Sequence, residues 1–148
     1  MTKRRPLGSN DDGSTLLLVI FYGFLALSLV LVALSATSLY LEHKRLLSFA
    51  DGAALAGSEA FTLNAVQVGL IGPRPYLHSA DVAAAVDEYL ELVPHDSFEE
   101  LTAMIAASTD GRSASVTLRS WWRPPVLTLV VPEGLPLEVT VVSRAVFQ

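Results

Sequence analysis

The sequence predicts an α+β protein, in which a long N-terminal transmembrane helix continues into a small extracytoplasmic domain of two helices and a three-stranded antiparallel sheet. Two observations predict it. Residues 15–41 form a run of 27 without a charged side chain. At Asp110-Gly111 the hydrophobic period then changes from about 3.6 to about 2. A chain of 148 residues leaves room for an anchor and one modest folded domain.

The uncharged run gives about 40 Å of helix, more than the ~30 Å hydrocarbon core of a bilayer. That is longer than the apolar core of a cleavable signal, so the run reads as a retained anchor, although small residues lie at its end. Residues 1–14 are a polar tail with Pro6, Gly8, Asn10 and Gly13. The helix is expected to start near Ser14 or Thr15, and no proline interrupts it before Thr62. The domain boundaries are therefore a tail at 1–14, a membrane span at 15–41, a helical continuation at 42–62 and a folded domain at 63–148. Lys3, Arg4 and Arg5 place the N-terminus in the cytoplasm and the domain outside; the acids Asp11 and Asp12 count little in this rule.

Beyond the helix, Gly69, Gly72, Pro73 and Pro75 predict a loop with at most a short strand at Val66–Ile71. Ser79 is placed to cap a helix whose inner face is Val82, Val86, Tyr89, Leu90 and Val93, ended by Pro94. Asp96 with Glu99, or Ser97 with Glu100, has capping-box spacing and predicts a second helix with Phe98, Leu101, Met104 and Ile105 inward. Strands are expected at Ala114–Arg119, Val126–Val131 and Leu137–Val146. Gly134 is the turn point, and its flanking prolines interrupt the ladder.

The stretch RLLSFADGAALAGSEAF, residues 45–61, carries two small-residue rows at spacing four. One is Ser48, Gly52, Ala56 and Ala60; the other is Ala50, Ala54 and Ser58, with Ala53 and Gly57 between them. Small rows let another backbone approach closely, and alanine's helix propensity also produces them. Two partners stay open, the protein's own domain or another subunit. Asp51 is placed to pair with Lys44 or with Arg45, to cap a neighbouring element, or simply to face water.

Several chemistries find no support. The absence of cysteine excludes disulfides, thiolate nucleophiles and cysteine-ligated metals. His43, His78 and His95 share no metal-ligand spacing, and the paired acids at 87–88 and 99–100 sit where solvent faces and helix starts explain them. No serine stands in a nucleophile elbow and no glycine run forms a phosphate loop. The expectation is a protein without catalytic, cofactor or metal sites. A net charge of −5 with scattered basic residues also argues against nucleic acid. In SWWRPP, Trp121 and Trp122 must point to opposite sides of a strand, so Trp121, Trp122 and Arg123 are a candidate interface at the membrane surface, a subunit or an envelope glycan.

The combination of Gly13-Ser14-Thr15 before an apolar run and RLLSFADGAALAGSEA after it resembles the TadE/TadG-like, pilin-like proteins of tight-adherence (Tad, or Flp) pilus systems. Arg45, Leu47, Ala50-Asp51 and Ala53–Gly57 take the places of that group's post-membrane pattern. The resemblance implies a membrane-anchored component of pilus assembly or a related secretion machine. Its partners would be the lipid bilayer and other pilin-like subunits or machinery. It also makes Gly13 a candidate processing site. Prepilin-like helices carry a glutamate five residues after the processing glycine, and that place here is Leu18. The departure points to an accessory component rather than a major pilin. The rival expectation is an anchored binding module that presents Trp121-Trp122 to envelope glycan or a surface ligand.

Overall fold

The computed structural model describes residues 11–60, 66–69, 72–124 and 132–144. Helix α1, Asp11–Glu59, is one uninterrupted element of 49 residues, about 74 Å long. It starts three residues before the expected Ser14 and ends three before Thr62, and Ala60 donates its N–H to the Gly57 carbonyl at 3.4 Å. The short strand expected within Val66–Ile71 is β1 (Val66–Gly69), and the loop expected after it holds a second strand, β2 (Gly72–Pro75), which closes a small hairpin in which Gly69 pairs with Gly72.

Helix α2, Ser79–Leu92, follows the predicted bounds closely. Val82 and Val86 are fully buried, Tyr89 and Leu90 pack partly on the core, and Val93 turns extended just before Pro94. Ser79 is not its cap. The cap position is His78, and the Ser79 hydroxyl instead donates to the Ser108 carbonyl at 2.9 Å and accepts the Ser108 N–H at 3.1 Å, tying the start of α2 to the end of the next strand.

The main sheet is antiparallel in the order β3 (Glu99–Ala107), β4 (Ser113–Trp122), β5 (Leu135–Arg144). One of its strands comes from an unexpected place. The segment predicted as a second capped helix is β3, and the expected strand Val126–Val131 lies outside the described residues. The two helices packed on the sheet are therefore α2 and the distal half of α1.

Two β-bulges explain the mistaken period. The register slips between Glu99 and Thr102 and again between Ala103 and Ile105. Each slip inserts a residue and resets which side faces inward. Leu101, Ala103 and Ala106 thus all pack on the core at a spacing that breaks strand alternation, whereas Met104 and Ile105 are exposed. Glu100 takes a left-handed φ of 51° within the first bulge.

The core is thin and tight. Leu46, Ala50, Ala53 and Ala54 of α1 meet Val82 and Val86 of α2, Ala114, Val116 and Leu118 of β4, and Val139 of β5. Each fully buried leucine or valine contributes about 1.5–3 kcal/mol, while the alanines contribute mainly by letting the layers close. Gly134 supplies the left-handed turn residue (φ 76°) before β5, as expected. The proline after it does not stop the ladder, because Pro136 pairs with Trp121 within β5, an edge strand where a missing N–H is tolerated.

The β3–β4 turn is held by Asp110. Its carboxylate accepts the Ser113 hydroxyl and the Ser113 N–H, both at 2.7 Å, and the Arg112 N–H at 2.9 Å. These bonds, the Ser113 side chain foremost, lower its pKa from 3.8 to about 2. Its stabilising effect is complete above 3.8 and is lost as the pH falls through about 2. In thermal unfolding of the detergent-solubilised protein, Asp110→Asn lowers Tm at pH 7. The gap from wild type narrows below pH 3.8 and closes near pH 2; a gap constant from pH 7 to 2 contradicts this.

Candidate functional site

The residues singled out in the sequence concentrate on α1, and the structure divides that helix into two lengths. In the first, Leu17, Phe24 and Val32 are 71, 70 and 63% exposed, and none of the most apolar 18-residue window is covered by protein. A core helix of a soluble fold would have that window packed. A bare apolar length sufficient to cross a bilayer makes the chain a single-pass membrane protein. Within it, the Ser28, Ser35 and Thr37 hydroxyls donate to the carbonyls four residues back, so their polarity is satisfied inside the helix.

The second length has two faces. Ala50, Ala53, Ala54, Gly57 and Ser58 are buried under the protein's own domain. The closeness depends on their size. A Cβ at Gly57 would lie 3.1 Å from Val82 Cγ1, 3.3 Å from Ala114 Cβ and 3.4 Å from Val86 Cγ2. The other small row lies at the rim: Ser48 is exposed, Ala56 is half-buried, and a Cβ at Gly52 would run into the Tyr89 hydroxyl. Ala60 falls just past the helix end. The face left open carries Leu41, Lys44, Ser48, Asp51 and Leu55.

Asp51 and Arg45 do not meet. A separation of six residues places them on different sides of a helix, and Arg45 pairs instead with Glu42 at 3.8 Å. With the Arg45 side chain 66% exposed, that pair adds little stability. Gly13 lies within the first turn of α1.

Strand β4 runs alongside α1 in the opposite direction. Ala114 sits at Gly57, and at the far end the Trp122 indole N–H donates to the Ser38 hydroxyl at 3.3 Å. The helix rises about 28 Å between those two positions and the strand about 26 Å, so their axes are nearly aligned. Ser143 adds a third tie by donating to the Ser58 hydroxyl at 3.2 Å.

The adjacent tryptophans do point to opposite sides. Trp122 is 8% exposed against α1, while Trp121 is half-buried on the outer face. Arg123 pairs with Glu99 at 3.1 Å. A two-ring glycan platform therefore lacks one of its rings. Sequence reasoning missed Ser38, Ser58 and Tyr89 as the partners that fix these contacts. The available signal was the hydroxyl group at 35, 37 and 38 inside an otherwise apolar run.

Two shallow clefts flank α1, each of about 350 Å³. One is lined by Ala36, Leu39, Tyr40, His43 and Leu137. The other includes Arg45, Phe49, Tyr89 and Phe98, in which the Phe49 ring lies 5.3 Å from Tyr89 and 5.5 Å from Phe98. His95 is held by its Nδ1 contact of 3.0 Å with the Val93 carbonyl, and His78 lies edge-on to Tyr76. Among the described residues no three histidine, aspartate or glutamate side chains converge as metal ligands would.

Comparison with known proteins finds a match in the same part of the chain. Residues 13–67 match the family described as putative Flp pilus-assembly TadE/G-like. The match covers α1 from Gly13 onward and enters β1, and ends before α2 and the main sheet. No curated protein and no solved structure matches.

The buried and open faces predict different tolerances. Gly57→Val forces side chains into α2 and β4 and costs about 1–3 kcal/mol, whereas Ser48→Val changes stability by no more than about 0.5 kcal/mol. Denaturant or thermal unfolding in detergent measures both, and equal effects contradict the assignment of faces.

Proposed function

We propose that this chain is a noncatalytic, pilin-like, membrane-anchored component of a Tad/Flp-type pilus assembly or related secretion system. The N-terminus lies in the cytoplasm and the domain outside. The observation that carries the reading is the coincidence of the family match at 13–67 with a single helix that is bare in its first length and covered on one face only in its second. A helix used only to tether a domain has no need of 49 continuous residues, because a flexible link after the bilayer would serve. A rigid rod with an open outer face instead presents its domain at a fixed height and orientation to neighbours.

The surface available to other subunits is the stripe of Leu41, Lys44, Ser48, Asp51 and Leu55, rather than the buried row at 50, 53, 54 and 57. It combines apolar contacts with charges of both signs, the composition of a contact that forms and separates in water rather than a permanent dry interface. Trp122 is occupied by α1 and is not available to a partner. Leu18 in place of the helix glutamate favours an accessory role over that of the filament's repeating subunit.

Because the chain has no cysteine, single cysteines can be introduced and crosslinked in native membranes. Ser48→Cys and Leu55→Cys are expected to trap other membrane subunits of the assembly, and Ala54→Cys is expected to trap none. Uncrosslinked monomer from both open-face positions contradicts the reading.

A further inference from the structure

The apolar run is too long for the bilayer it crosses. Residues 15–41 are uncharged, and about 40 Å of helix exceeds the ~30 Å hydrocarbon core by about 10 Å. Tilting is the usual remedy for such an excess. Here the fold supplies another. Ser35 is 8% exposed, the first buried side chain along α1, and Ser38 accepts the Trp122 indole N–H. The last turns of the run are thus beside the tip of the protein's own sheet. Before Ser35 no described side chain of α1 is buried, and residues 14–34 amount to about 31 Å, which matches the hydrocarbon core; from Ser35 onward one side is covered while Ala36, Thr37, Tyr40 and Leu41 stay exposed.

We infer that the β4–β5 tip of the sheet, Trp121, Trp122 and Arg123 with Leu135 and Pro136, rests in the phospholipid headgroup layer and sets the end of the membrane span near Ser35. This inference rests on α1 crossing the membrane. Since β4 lies along α1, the strands stand on end relative to the bilayer, and among the described residues the tip is the part of the domain nearest to it. The tip has the chemistry of that layer. Trp121 is half-buried on the outer face, Leu135 and Pro136 are exposed, and Arg123, exposed at the same end, shares its charge with Glu99 at 3.1 Å. Indoles and arginines share a preference for the boundary, where an apolar body meets lipid and a polar group meets water or phosphate. Tyr40, 60% exposed with the Lys44 ammonium over its ring, stands at the same height on the helix. The open cleft between α1 and Leu137 lies there too. The first charged side chains after the run, Glu42 to Arg45, begin one turn above Ser38, where a helix leaves lipid. A bonded tip fixes the domain's tilt, so the open stripe of α1 is presented at a constant angle.

The chain's only two tryptophans are both at this tip, so their fluorescence reports its depth. The full chain in phosphatidylcholine and phosphatidylglycerol vesicles is measured with nitroxides on the headgroup, high on the acyl chain and near its methyl end. Wild type and Trp122→Phe, which leaves Trp121, are both expected to be quenched at least about twofold more by the two shallow labels than by the deep one. A membrane-impermeant maleimide should label Leu41→Cys but not Leu34→Cys, a readout that does not depend on either tryptophan. Indoles unquenched by every lipid-borne label in a chain that co-sediments with vesicles overturn the seat and leave the anchor standing. A chain that does not co-sediment overturns both.

Discussion

The structure depends on how closely α1 can be approached by the layers packed on it. Ala50, Ala53, Ala54 and Gly57 give the helix a face with almost no side-chain height, and Ala114, Val82 and Val86 press directly against it. A domain of this size buries a modest apolar area, so its stability rests on dense contact rather than bulk. A larger residue on that face separates the helix from the sheet along its whole length, because β4 follows α1 for five turns. The alignment of strand and helix, the depth of Trp122 and the ties at Ser38 and Ser58 all follow from this one contact.

That contact also makes anchor and domain one rigid body. The membrane helix does not end and hand over to a linker; its continuation is a structural element of the domain core. Whatever fixes the span in the bilayer therefore fixes the domain. The hydrogen-bonded pair of Trp122 and Ser38 lies where these two environments join. A partner of the outer stripe would meet a surface whose height and direction are set by the membrane rather than by chain flexibility.

Much of this was legible in the sequence. An uncharged run followed by small residues without a breaker specifies one long helix, and the run of Val82, Val86 and Tyr89 specifies α2, because both patterns keep a single period. Strand β4 was equally plain from Ala114, Val116 and Leu118. The failure came at β3, where two bulges at Glu100 and Met104 break the alternation that identifies a strand, and acids at 99 and 100 imitate a helix start. Local capping chemistry lost there to ladder pairing with β4. The small-residue rows were visible as a close-packing surface, but their partner was not, since a helix face of alanine and glycine fits an own domain and a neighbour equally well. Only the fold shows which row is covered, and that the Arg45 carboxylate partner is Glu42.

The central claim is that the small-residue face of α1 is occupied by the chain's own sheet. Ser58 and Ser143 test it most directly, because their hydroxyls are 3.2 Å apart across that junction and the chain contains no other thiol to confuse the result. Replacing both with cysteine and oxidising in native membranes, with wild-type chain in excess, should give an intramolecular disulfide that runs as monomer, at a yield independent of the excess. Disulfide-linked dimers, or no bond at all, would contradict the account.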